Sequence, residues 1–224
     1  MVNAKLKRKA ELVQNMLMKT YGEPVWRQLL PPLDELVSTI LSQNTNDSNR
    51  DRAFDALRGA FADWAAVRDA PAEAVITAIR PAGLAKQKGP RIQQVLRQIT
   101  AERGDLSLQF LGRMPVEEAR RWLLRYKGVG PKTAAIVLLF ALQLPAFPVD
   151  THVHRVTGRL GLRPSGMSAE ASHPHLEAVF CQEHYYAAHM NLIRLGREIC
   201  RARRPRCPEC ALRNLCDYWN MTWA

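Results

Sequence analysis

No run of apolar residues in this chain approaches twenty, so no segment is long enough to cross a bilayer as a helix. The N-terminus, MVNAKLKRKAELV, is basic but lacks an apolar core and a cleavage site, and no signal peptide is expected. Nowhere do apolar and polar residues alternate as in a half-buried strand, and there is neither an internal repeat nor a low-complexity tract. Acidic residues are scarce, 21 against 32 Lys and Arg, and the net charge of +11 points to a polyanionic partner. Nucleic acid comes first and an acidic membrane surface second. Disorder is excluded by a hydrophobic fraction of 47%. Cysteine is nearly absent from the first 199 residues, where Cys181 stands alone, while the other four crowd into residues 200–216. That crowding suits a metal site in a reducing compartment, and an intracellular protein of the cytoplasm or nucleoid is expected.

What is present is helical periodicity. Ala10, Val13, Leu17 and Tyr21 mark one helix, stopped by Gly22; Leu33, Leu36, Val37, Ile40 and Leu41 mark the next. The polar turn SQNTNDS offers Asn46, Asp47 or Ser48 as a cap for a helix to about Leu57. Short helices are expected over 63–70 and 72–80, then a turn at Pro81-Ala82-Gly83-Leu84 and a helix carrying Ile92, Val95, Leu96 and Ile99. Beyond residue 150, helices are expected to Gly161, near 176–180 and over 185–195. The fold class is all-α.

The chain is organised around YKGVGPKTAAIVLLFALQLPAFPVDT, residues 126–151. An amphipathic helix over 115–126 enters a turn at Lys127-Gly128-Val129-Gly130, where paired glycines permit angles that other residues resist. Pro131 suits the first position of the helix that follows, and the run from Ala134 to Leu142 is apolar all round, hence buried. Such a helix start presents bare N–H groups, a ready phosphate site. Lys132 at that positive end is disfavoured by the helix dipole and so needs a reason. One reason is a phosphate contact. The other is a desolvated amine acting as nucleophile. Asp150 lies eighteen residues on, where it can cap the helix from Thr151 and also serve as a catalytic carboxylate.

The terminal run Cys200-x6-Cys207-x2-Cys210-x5-Cys216 can bind zinc or an iron–sulfur cluster through four thiolates; disulfides do not suit the compartment. Between its first two members lies RARRPR, in which Arg201, Arg203, Arg204 and Arg206 make a plausible phosphate clamp. Cys181 is expected to be a small buried hydrophobe. His152 and His154, two residues apart, do not share a helix face and are not read as metal ligands.

Taken in this order, Gly128-Val129-Gly130-Pro131-Lys132, Asp150 eighteen residues beyond, and the four-cysteine run resemble the endonuclease III family of helix–hairpin–helix DNA glycosylases with an iron–sulfur cluster. The likeness runs from about residue 30 to 217. It implies a helical barrel domain over 31–145 containing the helix–hairpin–helix (115–142), and an iron–sulfur domain joining 1–30 to 146–224, with the active-site cleft between them. It assigns a [4Fe–4S] cluster to Cys200, Cys207, Cys210 and Cys216. It makes Lys132 and Asp150 catalytic and Gly128 and Gly130 phosphate-facing, and puts the arginine loop, above all Arg204, on the DNA backbone.

Base extrusion needs groups that fill the vacated stack. By the same resemblance these are Asn44, with Gln43 beside it leaving the register open, and Leu84. Lys88 closes the same Gly83-Leu84-x3-Lys88 motif as a DNA-binding residue. Without the resemblance, Leu84 reads as ordinary turn packing. Lys127 and Pro131 depart from the family pattern, which more often has proline and a basic residue there.

The implied function is base-excision repair: a glycosylase with β-elimination lyase activity on oxidised pyrimidines. The partner is duplex DNA carrying damaged bases or abasic sites, met by a monomer with no membrane. A glycosylase for mismatched or other altered bases, or a weakly active or non-catalytic DNA-binding module, are the alternatives. Lys132 and the end of the chain at Ala224 count against an adenine-removing relative, which lacks the lysine and carries a further domain.

Overall fold

The computed structural model describes residues 2–26 and 29–223, and every regular element among them is helical. In chain order the α-helices are α1 (Ala4–Tyr21), α2 (Pro32–Ser42), α3 (Asp47–Ala60), α4 (Trp64–Asp69), α5 (Ala72–Ala78), α6 (Ala85–Arg103), α7 (Val116–Leu124) and α8 (Pro131–Ile136). They continue with α9 (Thr151–Arg159), α10 (Ala169–Val179), α11 (Tyr185–Glu198) and α12 (Asp217–Trp223). None of the described helices is long and apolar enough to cross a membrane. The chain divides into two compact units, residues 29–144 and residues 1–28 with 145–224.

In the unit of residues 29–144, α2 is the central helix. Leu36, Ile40 and Leu41 are wholly buried, each worth about 1.5–3 kcal/mol of apolar transfer, and α3, α6 and α8 pack around it. The polar side chains that enter this core are paired. Trp64 Nε1 donates to Asp34 Oδ1 at 2.7 Å, and Gln93 Nε2 donates to the Ala70 carbonyl at 2.8 Å, tying α4 to α2 and α6. Asn46 caps α3 by accepting from Asn49 N–H at 2.9 Å, and Asp63 caps α4 by accepting from Ala66 N–H at 2.7 Å. The apolar helix begun by α8 widens into a π-helical turn at Val137–Ala141 and stays buried from Thr133 to Phe140. The helix expected around Ile92–Ile99 begins earlier, at Ala85, because the Leu84 carbonyl already accepts from Lys88 N–H at 3.0 Å.

In the other unit, α9 packs on α11, and α1 and α10 flank the pair. Gly196 lets the two central helices approach closely, since a Cβ there would lie 3.0 Å from His152. Asn191 Nδ2 donates to the Gly22 carbonyl at 3.1 Å and fixes the end of α1, and Lys9 pairs with Asp217 at the start of α12. Two elements exceed expectation. Ser168 caps α10 seven residues ahead of the anticipated start, accepting from Ala171 N–H at 3.1 Å, and α12 was not anticipated.

Candidate active site

The hairpin is built from α7, a turn over residues 125–130, and α8. Val129 points inward, 4% exposed, and its N–H donates to the Tyr126 carbonyl at 3.0 Å. The two glycines play different parts. Gly128 has φ +86, and a Cβ there would collide with Arg91. Gly130 is extended (φ −93, ψ 179) with nothing within 4 Å of an added Cβ, so conformational freedom is not what places glycine there. It leaves open room on the outer face of the turn. The first helical bond of α8 is Ala134 N–H to the Gly130 carbonyl, 3.0 Å, so the N–H groups of Lys132 and Thr133 lie ahead of the ladder.

Lys132 projects from this first turn and is exposed, without a hydrogen-bond or ion-pair partner among the described residues. The side chain is exposed among the described residues, where the sequence suggested a desolvated amine. What distinguishes Lys132 is an uncommitted amine beside the open backbone of Gly130.

Asp150 is half-buried at the start of α9, where Oδ1 accepts from Val153 N–H at 2.7 Å. The segment that delivers it, residues 146–149, is buried and held by side chains that sequence reasoning missed. Glu177 Oε1 accepts from Phe147 N–H at 2.9 Å, His173 Nδ1 donates to the Phe147 carbonyl at 3.0 Å, and His189 Nδ1 donates to the Pro148 carbonyl at 2.9 Å. Phe147 itself stacks on Phe180 with ring centres 5.1 Å apart. The hairpin and Asp150 belong to different units, and each is positioned by its own.

His152 and His154 are both committed. His152 Nδ1 accepts from Arg155 at 3.1 Å, while His154 accepts from Arg163 at Nδ1 and donates from Nε2 to the Met167 carbonyl at 2.9 Å.

Four cysteines, Cys200, Cys207, Cys210 and Cys216, line one pocket, walled by apolar groups such as Val156, Leu195 and Ile199. Burial pushes the Cys210 thiol up to about 11, with further upward pressure from the neighbouring cysteines, and raises Cys207 and Cys216 for the same reasons. Among the described residues no three His, Cys, Asp or Glu side chains gather about a point as a single metal ion would require. α9 grips this loop. Arg155 Nε donates to the Cys200 carbonyl at 3.0 Å, and Arg159 donates to the carbonyls of Arg201 and Ala202 at 2.7 and 3.1 Å. Cys181 is exposed and donates to Glu183, so its expected burial is corrected: it follows the end of α10, outside the core.

The arginine loop is closed at its base by Arg206 N–H on the Ile199 carbonyl, 3.0 Å. All four arginines are exposed, but they are not equivalent. Arg206 forms a two-point ion pair with Glu209, whereas Arg203 and Arg204 have no ion-pair partner among the described residues, and Arg204 has φ +49.

Asn44 and Leu84 are also exposed residues with left-handed backbone, φ 54 and 51, and Leu84 is 47% exposed. Leucine rarely accepts that conformation, and with about half of its surface open, turn packing accounts for only part of the side chain. Gln43 lies inward: Nε2 donates to the Gly128 carbonyl at 3.0 Å, and Oε1 accepts from Arg91 at 3.1 Å.

Lys88, expected on DNA, requires correction. It is 1% exposed, and its Nζ donates to the carbonyls of Leu41 and Ala82, both at 2.8 Å. Its ammonium is spent inside the fold.

The profile of the HhH-GPD superfamily of base excision DNA repair proteins matches residues 37–180, and the chain belongs to that superfamily. Over 188 residues it is 32% identical to endonuclease III of Thermotoga maritima, covering 84% of each chain. An Arabidopsis thaliana protein named for a DNA glycosylase is 43% identical over 144 residues, which span 64% of this chain and 49% of that one, about half its length. The fold matches a trapped endonuclease III–DNA covalent intermediate with a TM-score of 0.81 at 26% identity, covering 99% of both chains.

Proposed function

We propose that this protein is a bifunctional DNA glycosylase, which removes damaged pyrimidines from duplex DNA and cleaves the strand at the resulting abasic site. The observation that carries the reading is Lys132: an amine with no partner among the described residues, in the first turn of the helix that leaves the hairpin. A purely DNA-binding hairpin has no need of Asp150, whose Oδ1 caps α9 and whose second oxygen has no hydrogen-bond partner among the described residues. Likeness to the endonuclease III chains supports the same reading.

In the reaction, the Lys132 amine attacks C1′ of an extruded nucleotide as the N-glycosidic bond breaks, and the base departs with its electron pair and gains a proton. Asp150 stabilises positive charge on the sugar and takes the proton that the lysine loses. Ring opening gives an imine between Lys132 and C1′. Loss of a C2′ proton then expels the 3′-phosphate by β-elimination. The N–H groups ahead of the α8 ladder and the open face of Gly130 suit a DNA phosphate, and Arg203 and Arg204 suit another.

The four-cysteine pocket fits a [4Fe–4S] cluster: four thiols line one cavity, and burial disfavours the charged forms of Cys207, Cys210 and Cys216 until a cationic group is present. Cys200, Cys207, Cys210 and Cys216 would hold it, and it would supply a structural cross-link for the loop that presents Arg203 and Arg204. A panel of duplexes, each carrying one lesion, tests the activity. Base release and strand cleavage at oxidised pyrimidines are expected; preferential release of mismatched thymine would favour the alternative substrate class, and binding without release from any duplex would contradict the proposal.

A further inference from the structure

A wholly buried lysine on two carbonyls is an expensive way to satisfy two acceptors, because an ammonium gives up its hydration when it leaves water. Its placement explains what is gained. The Leu41 carbonyl lies three residues before Asn44, and the Ala82 carbonyl lies two before Leu84. Lys88 thus joins the roots of the two turns that carry exposed, left-handed Asn44 and Leu84. Three residues further along α6, on the same face, Arg91 holds Gln43 at 3.1 Å, and Gln43 holds the Gly128 carbonyl of the hairpin at 3.0 Å. Arg91 also lies directly under Gly128, where a Cβ would strike it.

We propose that α6 is the ruler of the DNA-facing surface of its unit. Lys88 sets the separation of the Asn44 and Leu84 turns, and the Arg91–Gln43 pair sets the hairpin against the Asn44 turn, making all three positioning residues for base extrusion. This rests on the glycosylase reading above. A wedge fills the vacated stack only if it is already in place when the base leaves, and small displacements of a positioning group are costly in rate. Turns free to drift would have to be ordered on each encounter with DNA. Lysine suits the task because one side chain carries three donors and reaches two carbonyls that would otherwise be buried unpaired.

The test measures base extrusion, by 2-aminopurine fluorescence beside a lesion, and single-turnover excision, using the full chain. Lys88→Met is expected to bind duplex within about threefold of wild type and to slow extrusion and excision about tenfold or more. In a Leu84→Ala background the same substitution is expected to add less than about twofold, since the wedge it positions is gone. Losses that multiply in the double variant, or no loss in Lys88→Met, overturn the proposal. Should Lys88→Met not fold, Gln43→Ala and Arg91→Met carry the test. Each is expected to slow excision about tenfold while lowering the melting temperature by no more than about 6 °C, the scale of one lost hydrogen bond in a chain of this size, and the pair together no further; independent losses overturn it. A wild-type protein that releases no base sinks the glycosylase reading itself, whereas an active wild type with independent variants sinks only the ruler.

Discussion

Gly128 and Gly130 stand two residues apart in one turn, yet alanine should do opposite things at the two positions. At Gly128 the backbone is left-handed, φ +86, which costs an L-residue about 1–2 kcal/mol. The new methyl would also drive Arg91 aside and break its bond to Gln43, worth about 0.5–1.5 kcal/mol or more for a charged donor. Gly128→Ala should therefore destabilise by about 2–3 kcal/mol, a fall of roughly 4–12 °C in melting temperature for a chain of this size. At Gly130 the backbone is already extended and the space is empty, so alanine should leave stability unchanged or raise it by about 0.4–1 kcal/mol through the unfolded state. Its methyl would instead stand where a phosphate is proposed to approach, weakening duplex binding without loss of fold. Calorimetric melting of both variants, with duplex titrations, checks this. Equal melting temperatures, or a Gly130→Ala protein that unfolds early and binds normally, would contradict the separate roles of the two glycines.

Arg204→Ala should flatten the salt dependence of duplex binding by about one unit of slope, as one lost phosphate contact requires, while Arg206→Ala, already neutralised by Glu209, should change it less; titrations between low and moderate salt compare them. Purified protein should be brown with about four irons per chain, and Cys210→Ser should lose iron and solubility by metal analysis and absorbance. A colourless anaerobic preparation with one tightly bound zinc would overturn the cluster. Asp150→Asn keeps an N-cap as good as the original, so melting should move by less than about 0.5 kcal/mol equivalent while base removal slows and cleavage of a pre-formed abasic site is better preserved.

Periodicity reports which face of a helix is apolar, and for α2 the residues Leu33, Leu36, Val37, Ile40 and Leu41 are all buried, although Glu35, Ser38 and Thr39 are buried with them because the helix is central. Caps were readable in part: Asn46, one of three candidates, and Asp150 accept from N–H groups three residues away, while Asp63, expected inside its helix, caps it instead. The all-helical architecture follows from such local signals. Partners far along the chain left no trace. Gln43 and Gly128 are 85 residues apart, Lys88 and Leu41 47 apart, and nothing in a lysine's neighbours announces that two distant carbonyls will bury it. The histidines behind Asp150 were hidden for the same reason, since His173 and His189 reach the 147–148 backbone across 26 and 41 residues. The Arg206–Glu209 pair could have been read from its three-residue spacing. Gly130 misled because glycine can answer a need for space as well as for a left-handed backbone.

Lys132 decides the account. If its amine attacks C1′, the intermediate is an imine, and borohydride reduces it to a permanent amine that joins protein to DNA. Wild-type protein incubated with a duplex containing an abasic site and borohydride should give a covalent adduct on a denaturing gel, and Lys132→Gln should give none while still binding the duplex. Full adduct from Lys132→Gln, or none from wild type, would contradict the assignment.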